Sequence, residues 1–223
     1  MAGSEARANI ERLGVLGGTF DPPHYGHLLL ADTARIQLCL DQVLFVPAGQ
    51  PPHKPEAQPS LAAHRVALVE LALADAGEPA FVLSQVDLDR PGPHYTVDTL
   101  MMLRAAYPAA EMWFLIGGDS LADLPKWRDP VRIIALARLA VLPRPGYEPD
   151  VDALTERLPL DDALLQKVDL RQRIDWLMGP SLDVSSSALR ERAHRGLPLR
   201  YLAPPSVEAY VRRHRLYEAR CEA

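Results

Sequence analysis

Two histidines with a fixed spacing are the first residues of this chain that could do chemistry. His24 and His27 follow the glycine pair Gly17-Gly18, and a spacing of three at the start of a helix places both imidazoles on one side. Glycine lets the backbone approach a ligand closely, and the N–H groups of such a turn and of the next helix N-terminus form a phosphate site. Imidazole rings also donate hydrogen bonds to phosphate oxygens. The segment therefore predicts a site that binds phosphate groups.

Two other roles for the histidine pair have to be weighed. A zinc site needs more ligands, and no third Cys, His or carboxylate lies at a recognisable spacing, so we expect no metal held by the protein itself. A general-base role stays open, but a phosphate monoester nucleophile has a second pKa of about 6 and is already mostly dianionic at neutral pH. Positioning and charge stabilisation would then be the whole task.

The elements that must position this segment alternate between two kinds of pattern. Short apolar runs bounded by Gly or Pro have the length of strands, and between them apolar residues recur in helical steps of three and four. The alternation predicts an α/β fold: a doubly wound, mostly parallel, Rossmann-like sheet with helices on both faces. The predicted strands are 13–16, 43–46, 81–86, 113–116, 139–142 and 174–178, and the predicted helix faces contain Val66, Val69 and Leu73; Val97, Leu100 and Met101; and Val207, Tyr210 and Val211.

Residue types that suit a ligand site follow the predicted strands. Ligands of open parallel sheets bind beyond the carboxyl ends of the strands, so we expect these segments to meet at one edge of the sheet. They are 17–27, 47–54, 117–120, 143–146 and 184–190.

The whole chain has the composition of one globular protein. Its 223 residues carry a formal net charge of −5, which argues against a nucleic-acid polymer or a membrane as partner, because such binders need a broad basic face. No secretory signal or membrane span is visible, and Cys39 and Cys221 form no disulfide framework, so we expect a cytoplasmic protein. We expect a flexible tail over residues 1–9 and a single domain over 10–223 that includes a C-terminal helical part; the oligomeric state stays open.

The segment Gly18-Thr19-Phe20-Asp21-Pro22-Pro23-His24-Tyr25-Gly26-His27 resembles the His-x-Gly-His signature of the nucleotidyltransferase superfamily. Within that superfamily the chain is most similar to the bacterial nicotinate-nucleotide adenylyltransferases, from about Leu13 to Tyr217. The resemblance implies a reaction in which ATP gives its AMP part to nicotinic acid mononucleotide, with Mg²⁺ entering with ATP. A sister transferase that uses another phosphate acceptor, such as phosphopantetheine, and a non-catalytic nucleotide sensor are the alternatives.

The resemblance also assigns roles to individual residues of this chain. It implies catalytic roles for His24, His27 and Arg190, the last in the segment Ser185 to Arg190 that matches the family's late Ser-Ser-Thr-x-Ile-Arg motif. The residues implied for ATP are Gly17, Gly18, Thr19, Phe20, Lys54, Gly117, Asp119, Ser185 and Ser186, and those implied for the pyridine nucleotide are Thr96, Trp127 and Arg144.

Several of these residues also have simpler explanations. Ser185 suits an N-cap, Asp119 could cap a helix starting at Ser120 rather than bind ribose, and Lys54 could be a solvated charge. Trp127 could anchor a loop on the core, although an indole face is also well suited to stack on a flat, electron-poor pyridine ring. We expect Thr96 to cap a helix that runs to Tyr107.

Overall fold

A computed structural model describes residues 10–49, 59–143, 150–158, 169–180 and 182–218. The strands are β1 (Arg12–Gly18), β2 (Gln42–Pro47), β3 (Phe81–Leu83), β4 (Glu111–Gly117), β5 (Arg138–Leu142) and β6 (Ile174–Trp176). The helices are α1 (Tyr25–Gln37), α2 (Ala62–Ala76), α3 (Thr96–Ala106), α4 (Gly118–Asp123), α5 (Pro130–Leu136), α6 (Val151–Glu156), α7 (Leu170–Arg173), α8 (Ser186–His194) and α9 (Pro205–Arg213), with a 3₁₀ turn at Leu124–Lys126.

The strands form a six-stranded sheet in the order β3-β2-β1-β4-β5-β6, and every neighbouring pair is parallel. The chain moves outward from β1 to β3, returns to the centre and then moves outward from β4 to β6. This order confirms the predicted doubly wound fold. The strand order reverses between β1 and β4, and that reversal is the point at which such sheets hold a ligand.

All six predicted strands are present, but their ends differ from the apolar runs. Gly17 and Gly18 are the last residues of β1, where they pair with Val46 and Pro47 of β2. At the edge of the sheet β3 ends at Leu83 instead of continuing to residue 86. Because Gly17 and Gly18 have no side chains, the backbone of β1 is uncovered by side chains at the carboxyl edge of the sheet.

Helices cover both faces of the sheet, as predicted. Alternate β4 residues point to opposite sides: Met112, Phe114 and Ile116 join one core, and Trp113 and Leu115 join the other. Helices α3 and α5 pack on the first face, and α1 and α2 contribute to the second. The loops at the carboxyl ends of the strands therefore extend from a sheet that is buried on both faces.

The predicted faces of two helices were partly wrong. In α2 the fully buried positions are Arg65, Leu68, Val69 and Ala72, whereas Val66 and Leu73 are only partly buried. In α3, Thr99 is buried and Met101 is 38% exposed. Both errors arise because a polar residue occupies the core face and makes hydrogen bonds there.

The C-terminal helices pack on the outer side of α2. Leu189 of α8 and Val207 and Val211 of α9 join Leu68 and Ala72 of α2 in a third buried cluster. The predicted α9 face is therefore correct for both valines, and Tyr210 packs at its margin. Within the described ranges, the helices lack the length and apolar character needed to cross a bilayer.

Candidate active site

A sharp turn between β1 and α1 sets the position of the histidine pair. Phe20 has φ 50°, a left-handed conformation that is uncommon for a bulky residue and persists only where its surroundings hold it. Its ring is buried, and it meets the His27 ring edge-on with centroids 4.9 Å apart. Phe20 thus supports His27 with its side chain, so only its backbone could face a nucleotide.

His24 and His27 are stacked on each other at the start of α1. Their ring centroids lie 3.7 Å apart with an interplanar angle of 27°, and His24 is the N-cap residue of the helix. The His24 backbone N–H donates to Nδ1 of His27 over 3.2 Å. Because Nδ1 accepts this bond, the neutral His27 ring carries its proton on Nε2. His27 is therefore held as an Nε2–H donor.

His27 is uncharged at neutral pH in the free protein. Burial lowers its pKa well below the ordinary value, and the nearby His24 lowers it further. A neutral ring can still donate through Nε2–H, and a polyanion placed beside it would favour the protonated form.

Gly26 keeps the two histidines close to the C-terminal part of the chain. A Cβ atom at this position would lie 3.0 Å from His24 Nδ1 and 3.0 Å from Val184 Cγ1. A side chain here would therefore fit only if His24 and Val184 moved back by a few tenths of an ångström. In the sequence Gly26 stands out only as part of the signature, and its close contact with Val184 is visible only in the folded chain.

The start of α8 docks against the loop that carries His24. Ser185 is the N-cap and accepts from the Ala188 N–H over 3.2 Å, and its implied role in ATP binding stays a prediction. The Ser186 hydroxyl donates to the Pro22 carbonyl over 2.8 Å, and Arg190 Nη1 donates to the Asp21 carbonyl over 2.9 Å. The fold thus brings the predicted Ser186 and Arg190 to the predicted histidine segment.

A cavity of about 500 Å³ opens beside this loop at the carboxyl edge of the sheet. Five predicted residues line it: Gly17, Gly18, Thr19, Thr96 and Trp127. The Trp127 indole meets the Phe114 ring edge-on, with centroids 6.0 Å apart, so Trp127 is both anchored on the core and exposed to the cavity. The glycine end of β1 and the predicted pyridine-side residues therefore share one cavity.

The start of α3 differs from the prediction in detail. Tyr95 is the N-cap and makes no side-chain capping bond, Thr96 is the first helical residue, and the helix ends at Ala106. The N–H groups of Asp98 and Thr99 donate back to the Tyr95 carbonyl, so the N–H groups of Thr96 and Val97 are those at the open helix end. Thr96 therefore offers a backbone donor and a cavity wall rather than a cap.

Charged residues that the sequence analysis missed also line the cavity. The Arg128 guanidinium lies 4.5 Å from the centroid of the Tyr95 ring, and Lys126 is paired with Asp123 over 2.6 Å. Buried Asp87 accepts from the Thr99 hydroxyl over 2.6 Å and from Arg90 over 3.0 Å. Asp87 and the segment from Asp123 to Arg128 come from separate parts of the chain, so their meeting at one cavity is visible only in the folded protein.

Gly117 and Asp119 are not among the residues that line this cavity. Gly117 ends β4, and exposed Asp119 lies in the first turn of α4, whose N-cap is Gly117. Asp119 therefore does not cap a helix that starts at Ser120, because that helix starts two residues earlier. Lys54 and Arg144 lie outside the described residues.

The chain matches a known family over most of its length. The family model described as cytidylyltransferase-like matches residues 15–192. The chain is 46% identical to a probable nicotinate-nucleotide adenylyltransferase of Thermomicrobium roseum over 93% of this chain and 92% of the relative. It is 44% identical to the one of a Roseiflexus species over 92% and 97%.

A solved structure shares the fold at low sequence identity. The nicotinic acid mononucleotide adenylyltransferase of Plasmodium falciparum, complexed with NaAD, matches with a TM-score of 0.72 at 15% identity and covers 93% of this chain and 97% of its own. The family model and the matches to the bacterial relatives place the chain in the cytidylyltransferase-like family, and within it the chain belongs to the nicotinate-nucleotide adenylyltransferases.

Proposed function

We propose that this protein joins the AMP part of ATP to nicotinic acid mononucleotide, forming nicotinic acid adenine dinucleotide and pyrophosphate. The observation that carries the proposal is the shared carboxyl edge of the sheet. There Gly17, Gly18 and Thr19 line a cavity walled by Trp127 and the start of α3. The segment that follows Thr19 carries the stacked histidines, and Ser186 and Arg190 are hydrogen-bonded to its backbone. The histidine segment suits a triphosphate. The cavity wall formed by Trp127 and the start of α3 suits a flat ring that bears a carboxylate.

The proposed reaction is a direct, in-line attack by the mononucleotide phosphate on the α-phosphorus of ATP. The bond from this phosphorus to the bridging oxygen breaks, pyrophosphate leaves, and configuration at phosphorus inverts. His27 donates Nε2–H to a triphosphate oxygen, and Arg190 adds positive charge. Catalysis then rests on positioning and on stabilising charge in the transition state.

Mg²⁺ enters, in this proposal, as the MgATP substrate. Among the described residues, no group of three or more His, Cys, Asp or Glu side chains is placed to hold a metal ion. Mg²⁺ commonly binds to substrate phosphates and keeps several waters, which fits a site that supplies few carboxylates. Bound to the triphosphate, the ion would neutralise charge on its oxygens.

We place the reaction in the cytoplasm. Cys39 is a free, exposed thiol, and exposed free thiols suit a reducing compartment.

The proposal is tested by offering the purified protein MgATP with each of several acceptors and measuring pyrophosphate release. We expect release with nicotinic acid mononucleotide and none with phosphopantetheine. Release with phosphopantetheine alone would favour the sister transferase, and ATP binding without turnover on any acceptor would favour the nucleotide sensor.

Binding of pyrophosphate is expected to take up a proton at His27. Its pKa lies below the ordinary value in the free protein, and an adjacent anion raises it, so the bound state holds more protons at a pH near 6.5. The measurement is the binding heat in buffers of different ionisation enthalpy, for the wild type and for His27→Gln. Pyrophosphate itself changes protonation equally with both proteins, so this contribution cancels when the proton uptake of His27→Gln is subtracted from that of the wild type.

The wild type should take up as much as about one proton more than His27→Gln. His194→Gln, which changes an exposed histidine at the end of α8, should behave as the wild type. Equal uptake by wild type and His27→Gln would show that His27 does not titrate on binding.

Trp127→Ala is expected to raise KM for the mononucleotide while sparing KM for ATP. Loss of an aromatic stack on a base-like ring costs roughly 1–3 kcal/mol. Trp176→Ala is the matched control, because Trp176 lies on the edge strand β6 and is 42% exposed. Steady-state kinetics with each substrate varied in turn give the result, and equal increases in both KM values would make Trp127 a structural residue.

A further inference from the structure

A hydrogen bond spans almost the whole chain and ends on the loop that carries His24. The Tyr217 hydroxyl donates to Asp21 Oδ1 over 2.6 Å, across 196 residues of sequence. Asp21 is buried, with 3% of its surface exposed, and it lies three residues before His24. The end of the described chain is thus tied to the signature segment.

The Asp21 carboxylate depends on a small number of donors. The Ser60 N–H donates to Oδ2 over 3.0 Å, and Tyr217 donates to Oδ1. A buried charge is tolerated only where hydrogen bonds or an opposite charge replace water. Burial, and then the charge of Asp21, raise the pKa of Tyr217, so the phenol keeps its proton and remains a donor.

The same stretch of backbone is held by residues of the predicted site. Arg190 donates to the Asp21 carbonyl and Ser186 to the Pro22 carbonyl. Buried Arg65 donates to the Thr19 carbonyl over 3.0 Å and to the Ala48 carbonyl over 2.6 Å. A shift of Asp21 would therefore move the acceptor of Arg190 and the backbone that leads into His24.

The backbone conformation of the chain after α9 positions the Tyr217 hydroxyl beside Asp21. Arg215 and Tyr217 have φ 50° and 68°, and the Leu216 N–H returns to the Val211 carbonyl over 3.0 Å. Two non-glycine residues in the left-handed region are uncommon, and surrounding contacts must hold them there. Leu216 and Tyr217 pack against the cluster of C-terminal helices.

We propose that Tyr217 is a positioning residue for adenylyl transfer: through Asp21 it fixes the loop that sets His24 and Arg190 on the triphosphate. The inference rests on the proposed function. It also means that the C-terminal segment completes the active site although it contributes no group that touches the substrate.

The test compares Tyr217→Phe with Tyr210→Phe. Tyr210 is the matched control, because it lies on α9 and its hydroxyl is also bonded over a long sequence separation, but to His64 Nδ1 of α2, over 3.0 Å, and not to Asp21. We expect Tyr217→Phe to lower kcat about tenfold, equivalent to about 1.4 kcal/mol, with little change in either KM. Tyr210→Phe should keep the wild-type kcat.

A double-variant cycle shows whether Tyr217 acts through Asp21. In Tyr217→Phe/Asp21→Asn the second substitution should cost less than it does alone, because the two residues share one interaction. Purely additive effects on kcat, wild-type kcat in Tyr217→Phe, or a loss confined to KM would overturn the inference.

A second readout does not depend on activity. In NMR titrations of the histidine rings, His27 should titrate closer to its ordinary value in Tyr217→Phe than in the wild type, because the displaced loop admits water. Tyr210→Phe should leave the titration unchanged. A wild type that makes no dinucleotide would count against the proposed function, whereas an unchanged His27 titration in Tyr217→Phe would count against the Tyr217 inference.

Discussion

Turnover by the His27→Ala variant is expected to fall about 10²–10³-fold, or about 2.7–4 kcal/mol, as is typical when one donor to a developing charge is removed. ATP binding should weaken much less. His27 is fixed by the His24 N–H on one ring nitrogen and by two rings packed against it, so its Nε2–H donor is preorganised. Such a donor contributes most when charge on the phosphate oxygens is greatest, which is in the transition state.

The measurement is kcat, with an independent titration of ATP binding and a check that the variant is folded. His194→Ala serves as control, because it removes an exposed imidazole from the end of α8, and it should keep the wild-type kcat. A folded His27→Ala variant with near wild-type kcat would remove His27 from the mechanism.

The acid form of the mononucleotide is expected to be preferred over its amide by about 10²-fold or more in kcat/KM. The α3 N-terminus presents the N–H groups of Thr96 and Val97 and the positive end of the helix dipole, which favour a carboxylate. Arg128, stacked on Tyr95 at the same cavity, adds a positive charge that the sequence analysis did not foresee. The negative charge of Asp98, in the first turn of α3, offsets part of the positive potential from Arg128 and the helix dipole. Much of the preference for the acid therefore comes from hydrogen bonds donated by the backbone N–H groups.

An amide loses the charge interaction and turns its NH₂ group toward donors that need an acceptor. Each buried group left unpaired costs about 1–3 kcal/mol, and sites built on hydrogen bonds discriminate more strongly than apolar pockets do. The ratio of kcat/KM for the two mononucleotides at saturating ATP gives the result. A ratio near one, or a preference for the amide, would mean that the α3 start does not receive the pyridine substituent.

The sheet was predictable from sequence because its signal is local and redundant. Each strand is a short, strongly apolar run, and parallel strands buried on both faces need such runs. The helix faces were less predictable, because Arg65 and Thr99 occupy core positions. A pattern that counts only apolar residues assigns such positions to solvent, although Arg65 is satisfied there by four carbonyl groups.

The histidine pair could be singled out because it belongs to a long signature, and Trp127 because it lies in a polar stretch; the structure places Trp127 on the cavity wall, and the roles of all three residues stay predictions. The sequence gives no comparable signal for three other residues at or near the site: Tyr217, Asp87 and Arg128. Tyr217 matters through a bond to Asp21 that joins opposite ends of the chain, and Asp87 and Arg128 reach the cavity from separate loops. No local pattern encodes such contacts, since they depend on how the loops return to the sheet edge.

The most direct test of the account follows the α-phosphate of ATP. Purified protein is mixed with MgATP labelled at that phosphate and with nicotinic acid mononucleotide, and the products are separated. The account predicts that the label enters nicotinic acid adenine dinucleotide, that pyrophosphate appears in equal amount, and that the protein carries no label. Label that ends in free AMP, label bound to the protein, or no turnover would contradict direct adenylyl transfer at this site.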